Sequence, residues 1–189
     1  VNYIPATHFT IADAKRGDIG NTSSQYAKAF FEVLNFDAIT VAPYMGEDSI
    51  RPFLEYKNKW TIVLGLTSNP GANNFELQQT GTERLYEKVL RNVSGWGSPE
   101  NLMFVIGATQ ADEFINIRNM LPDHFLLVPG VGFQGGSLKD ISEKAMNKDC
   151  GILINVSRAI IFAAEKEDFA TEAKAIAAQY QREMSFYIK

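Results

Sequence analysis

With 189 residues, the chain is long enough for one large domain or a small pair. Its 46% hydrophobic content and net charge of -4 are those of an ordinary globular protein, without the basic excess that marks a nucleic-acid binder. The single cysteine, Cys150, excludes an intrachain disulfide and is expected to be a small buried residue, while His8 and His124 lack metal-ligand spacing. No apolar run is long enough to span a membrane and no leader is evident, so a cytoplasmic protein without nucleic-acid or membrane partners is expected.

In chain order, the run 8–12 (His-Phe-Thr-Ile-Ala) is short and β-rich, as a buried strand should be. It delivers Asp13, Lys15 and Asp18 before a turn at Gly20-Asn21. Helix N-cap residue types follow at Asn21, Thr22, Ser23 and Ser24. Ala27, Phe30, Phe31 and Leu34 then recur at helical spacing, and Asn35 closes the segment. Further strands are predicted at 37–41, 61–66, 102–106, 125–128 and 152–156. Helices are predicted at about 48–56, 82–93, 110–120, 137–146 and 169–183. The polar segment 72–79 reads as a lid or a surface loop.

Strand and helix therefore alternate six times, and the strands are apolar runs rather than strict alternations. Such runs mark a parallel sheet covered on both faces, either an open doubly wound sheet or a (β/α)8 barrel. In both, function gathers at the C-terminal ends of the strands. The unusual polar and glycine-rich positions fall there: Asp13, Lys15 and Asp18, then Ser68, Thr109, the segment 129–136 and Arg158. The chain is expected to be a single domain over 1–189.

In a regular strand, residues two apart project to the same side, so Asp13 and Lys15 should emerge together. An ammonium beside carboxylates stays protonated. That suits a group that stabilises a developing carbanion and then donates a proton to it; it does not suit a lysine nucleophile, which must be neutral. The alternative is a salt-bridged strand end with no chemistry.

Pro129-Gly130-Val131-Gly132-Phe133-Gln134-Gly135-Gly136 carries four glycines in eight residues, between a strand and a helix. Glycines let backbone amides approach an anion, and a helix N-terminus favours negative charge. The spacing is not that of a P-loop. With Arg158 after the following strand, the pair fits a phosphate site; the plain alternative is a tight turn and a surface arginine.

Three stretches together resemble orotidine 5'-phosphate decarboxylase in its longer bacterial form: Ala-Asp-Ala-Lys-Arg-Gly-Asp-Ile-Gly at 12–20, Thr-Val-Ala-Pro-Tyr-Met-Gly at 40–46, and the glycine loop at 129–136. The resemblance covers essentially the whole chain. It implies decarboxylation of orotidine 5'-phosphate to uridine 5'-phosphate in pyrimidine biosynthesis. It implies Lys15 as the donor of the proton to C6, Asp13 against the substrate carboxylate, and Asp18, with Ile19 and Thr22, reaching a neighbouring subunit's site. Ser68 would read the pyrimidine, and Gln134, Gly135 and Arg158 would hold the phosphate. It also implies no metal, no cofactor, and a homodimer with shared active sites.

The family's barrel has eight units and this chain shows six, so the resemblance implies strands three to eight, three-quarters of a barrel. Two more units at this spacing add roughly 60 residues. Two other readings stay open: a magnesium-dependent sugar-phosphate lyase on the same barrel, which shares only the shorter Asp-x-Lys-x-x-Asp pattern, and an inactive nucleotide-binding fragment.

Overall fold

Apolar and β-branched runs become strands, and amphipathic segments pack over them. The computed structural model describes residues 3–132, 135–165 and 167–188. The chain divides into two units, Val1–Val105 and Ile106–Lys189.

The first unit contains β1 (Ile11–Arg16), α1 (Gly20–Lys28), β2 (Ala38–Val41), α2 (Glu47–Leu54) and β3 (Trp60–Leu66). A two-strand ribbon, β4 (Gln79–Thr80) with β5 (Glu83–Arg84), leads into α3 (Leu85–Ser94), and β6 (Leu102–Ile106) begins at the end of the unit. β1 pairs with β2 and β2 with β3, both in parallel, with Ile11 opposite Ala38 and Val41 opposite Val63. The Thr61 amide donates to the Asn101 carbonyl, carrying the pairing from β3 towards β6. All four residues of β2 are buried, as a parallel strand covered on both faces requires. The helices supply the covering layer: Phe31 meets Phe53 of α2 edge-on, with ring centroids 6.4 Å apart and planes at 83°. Such a pair adds about 0.5–1.5 kcal/mol beyond its buried area.

The second unit contains α4 (Phe114–Met120), β7 (Phe125–Pro129), α5 (Leu138–Ala145), β8 (Ile152–Asn155), the short α6 (Arg158–Ile161) and α7 (Phe169–Ser185). β7 and β8 are parallel, with Leu126 opposite Ile152 and Pro129 opposite Asn155. Arg118 of α4 ties the turns beneath them together. Its guanidinium donates to the carbonyls of Leu121, His124, Ala145 and Gly151 at 2.7–3.1 Å. A cavity of about 490 Å³ lies between β8 and α7, lined by Ile152, Ile154, Tyr180 and Met184.

Several boundaries differ from the sequence reading, each for a physical reason. The first strand is 11–16 rather than 8–12, because parallel pairing with β2 carries the backbone through the charged residues. α1 starts at Gly20 with Ile19 as its N-cap, and no side chain caps it. Ser23, inside the helix, is buried and donates to the Asp18 and Ser49 carbonyls instead. After Lys28 the helix widens into a π-helical turn over Ala29–Val33, which buries Phe31 but leaves Leu34 45% exposed, off the predicted apolar face. The helix predicted from 82 opens with β5, and the one predicted from 110 starts at Phe114. Cys150 is half-buried rather than buried, at a turn that closes on Asn147, with φ 69°.

Candidate active site

The strand registers place the C-terminal ends of β1, β2 and β3 side by side: Val41 lies opposite both Arg16 and Val63. β1 reaches that end through an irregularity. Ala12 lies opposite Ile39 and Arg16 opposite Val41, so the step of four residues in β1 is matched by a step of two in β2. Within it, Lys15 takes φ 46°, a left-handed conformation that costs a side-chain-bearing residue on the order of 1–3 kcal/mol. Bulges of this kind re-aim side chains and concentrate beside active sites.

Asp13 and Lys15 do meet, but across the bulge rather than by regular alternation. Lys15 Nζ donates to Asp13 Oδ1 at 2.5 Å. The Lys15 amide donates to Thr40 Oγ1 at 2.9 Å, and Thr40 Oγ1 donates in turn to Asp13 Oδ1 at 3.0 Å. The Lys15 and Asp13 side chains are 53% and 63% exposed, so solvent screens the pair and the ammonium is open to a ligand. Asp18 accepts the Ile19 amide at 2.8 Å. Ile19 is 56% exposed and Thr22 is exposed on the first turn of α1, so both present themselves outward beside Asp18.

Ser68 follows β3 and is half-buried. Its neighbour Thr67 is fastened by Glu76, whose carboxylate accepts the Thr67 amide at 2.6 Å and the Thr67 hydroxyl at 2.8 Å. A short 3-10 turn, Pro70–Asn74, lies between them and takes in the start of the segment 72–79, read from the sequence as a lid or a surface loop. Phe75 and Glu76 join Ala42, Tyr44 and Leu64 around a cavity of about 420 Å³ beside the ends of β2 and β3.

In the second unit, the pairing of Pro129 with Asn155 places the glycine loop and Arg158 at neighbouring strand ends. Gly130, Gly132 and Gly135 take φ of 97°, 78° and 90°, where a side chain would be strained. The loop folds on itself: the amides of Gly132, Gly135 and Gly136 donate to the carbonyls of Gly136, Gly132 and Gly130. These three amides are therefore engaged within the loop rather than directed at an anion. Gln134 lies outside the described residues. Arg158, expected at the end of the last strand, opens α6 and is exposed. Among the described residues no group of three or more His, Cys, Asp or Glu could hold a metal ion, and no helix is long and apolar enough to cross a membrane.

Thr40 and Glu76 were not singled out from the sequence. Thr40 opens the 40–46 stretch that carries the resemblance, but nothing in the sequence gave its hydroxyl a role. Glu76 lay in the polar segment 72–79 without a role of its own, since its partner Thr67 is nine residues away in the chain.

The sequence pattern of the orotidine 5'-phosphate decarboxylase / HUMPS family matches residues 2–176. The orotidine 5'-phosphate decarboxylase of Phocaeicola vulgatus is 55% identical over 188 residues, covering 97% of this chain and 69% of that protein. The structure of Leishmania donovani OMP decarboxylase matches with a TM-score of 0.81 and 38% identity, over 93% of this chain and 68% of that one. Leishmania donovani UMP synthase matches with a TM-score of 0.84 and 40% identity over 94% of this chain, which spans only 40% of its length.

Proposed function

The chain belongs to the orotidine 5'-phosphate decarboxylase / HUMPS family and is an enzyme of the orotidine 5'-phosphate decarboxylase type, acting in pyrimidine biosynthesis; we propose that Lys15 is the group that protonates C6 of its substrate. The observation that carries this reading is the Lys15 ammonium held 2.5 Å from Asp13 at an open strand end. The C6–carboxylate bond breaks and carbon dioxide leaves. The electron pair stays on C6 and takes a proton from Lys15 Nζ, and solvent restores that proton. A fixed cation at the reacting carbon stabilises the charge as it develops. Asp13 faces the departing carboxylate and disfavours it more than the transition state, in which the charge has moved to carbon.

Asp18 serves the active site of a second subunit in a homodimer, with Ile19 and Thr22 beside it. Its engagement with the Ile19 amide rather than with Lys15 supports this. Ser68 reads the pyrimidine. Gln134 and Arg158 hold the phosphate, whose distance from C6 supplies binding energy remote from the chemistry, while the Gly135 amide is engaged with the Gly132 carbonyl and shapes the loop. The neighbouring strand ends after β7 and β8 support that pairing of loop and arginine. The six strands correspond to strands three to eight of a (β/α)8 barrel, and this chain spans 69% of the length of the Phocaeicola vulgatus relative. We place the enzyme in the cytoplasm, working on a nucleotide without metal or cofactor.

The test is the absorbance change as orotidine 5'-phosphate becomes uridine 5'-phosphate, with EDTA present, for the protein and for Lys15→Ala. Turnover that survives EDTA and is lost in Lys15→Ala supports the reading. Turnover abolished by EDTA overturns the metal-independent reading, and binding of uridine 5'-phosphate without turnover points to a nucleotide-binding fragment.

A further inference from the structure

We infer that Thr40 is a positioning residue for the reaction, setting both the backbone of Lys15 and the carboxylate of Asp13 through one hydroxyl. The inference rests on the reading of Lys15 as the proton donor. Thr40 is fully buried on β2, among Ile39 and Val41, where a hydroxyl is costly unless bonded. Its oxygen accepts the Lys15 amide at 2.9 Å and its proton is directed to Asp13 Oδ1 at 3.0 Å; the alternative acceptor, the Ala12 carbonyl, is farther, at 3.5 Å.

The position matters because of the bulge. Where β1 breaks register with β2, the Lys15 amide loses its place in the ladder of backbone hydrogen bonds, and the left-handed backbone of Lys15 needs an external restraint to persist. Thr40 supplies the missing acceptor from the neighbouring strand. The same hydroxyl then fixes the oxygen that receives Lys15 Nζ, closing a ring of three contacts: amide to hydroxyl, hydroxyl to carboxylate, ammonium to carboxylate. The ring sets the direction in which the exposed ammonium points. Valine, equal in shape but without the hydroxyl, breaks two of the three contacts at once. Serine preserves them.

The test compares Thr40→Val and Thr40→Ser with the unaltered chain by two readouts. The first is hydrogen exchange at the Lys15 amide, which needs no activity: protection is expected to fall in Thr40→Val and to be kept in Thr40→Ser, with neighbouring β2 amides unchanged in both. The second is decarboxylation. Misplacing a catalytic group by about 1 Å costs about 100-fold, so kcat is expected to fall by roughly 10- to 100-fold in Thr40→Val, with KM changed far less and Thr40→Ser close to the unaltered chain. Retained protection and kcat in Thr40→Val overturn the inference. So does lost protection with kcat unchanged, which would make Thr40 merely structural, and so does an equal fall of kcat in both variants, which would make size rather than the hydroxyl decisive. If the unaltered chain shows no turnover, it is the reading of Lys15 as proton donor that fails for this chain. The exchange result then decides for or against the Thr40 clasp.

Discussion

The Asp37 carboxylate accepts both the amide and the hydroxyl of Thr10, each at 2.7 Å, while the Asp37 and Ala38 amides donate back to the Thr10 carbonyl. This reciprocal clasp joins the entry of β2 to the residue just before β1, and so sets the register on which the bulge and Lys15 depend. Burial alone would raise the Asp37 pKa, but the two Thr10 bonds and the Lys59 ammonium outweigh it and hold the carboxyl below its ordinary value of 3.8. The stability it contributes is therefore fully present above that value and is lost as pH falls through the lower folded-state pKa. Asp37→Ala is expected to cost about 1–3 kcal/mol in urea denaturation at pH 7. The variant should also lack this part of the acid-induced loss.

Arg118 performs the corresponding task in the second unit. Burial pushes its guanidinium down to about 10, against the opposing pull of Asp123 and Cys150, so it remains charged at neutral pH. Replacing it by methionine keeps the bulk but leaves carbonyls at Leu121, His124, Ala145 and Gly151 without these donors. Arg118→Met is expected to destabilise by roughly 2–4 kcal/mol in chemical denaturation.

His124 begins the segment leading into β7 and is only 7% exposed. Burial first, and then the positive charge of Arg118, lower its pKa from 6.5 against the pull of Asp123. The unfolded chain therefore binds a proton that the folded chain refuses. Stability from this residue is fully present above about pH 6.5 and declines as pH falls below it. The melting temperature is expected to be lower at pH 5 than at pH 7.5, with part of that difference removed in His124→Gln.

Gly136 admits no larger side chain. A Cβ there would collide with the Ala108 side chain and lie 3.0 Å from the Gly130 carbonyl oxygen. Gly136→Ala is expected to cost about 1–3 kcal/mol by overpacking. If the loop holds the phosphate, titration with uridine 5'-phosphate should show weakened binding in the same variant at temperatures where it is still folded.

The alternation of strand and helix was legible because each element carries its own period and its own breakers. β6 falls at the predicted residues, and β3, β7 and α7 lie within two residues of the prediction. Candidate groups were legible where they clustered in the chain, as with Asp13 and Lys15, or the glycines of 129–136. Boundaries failed where a distant partner decided them. β1 extends through Asp13 and Lys15 because Val41 pairs with Arg16, and Ser23 abandons capping because the Ser49 carbonyl is within reach.

The sequence by itself therefore determined the α/β class, the parallel strands, the family and the residues that can carry the chemistry, because those are properties of local pattern and local composition. Tertiary structure alone decided how Lys15 is aimed. The bulge, its left-handed backbone and the Thr40 hydroxyl depend on register between strands whose hydrogen-bonded residues, Lys15 and Thr40, are 25 positions apart in the chain, and no local period records which backbone group a neighbouring strand will present.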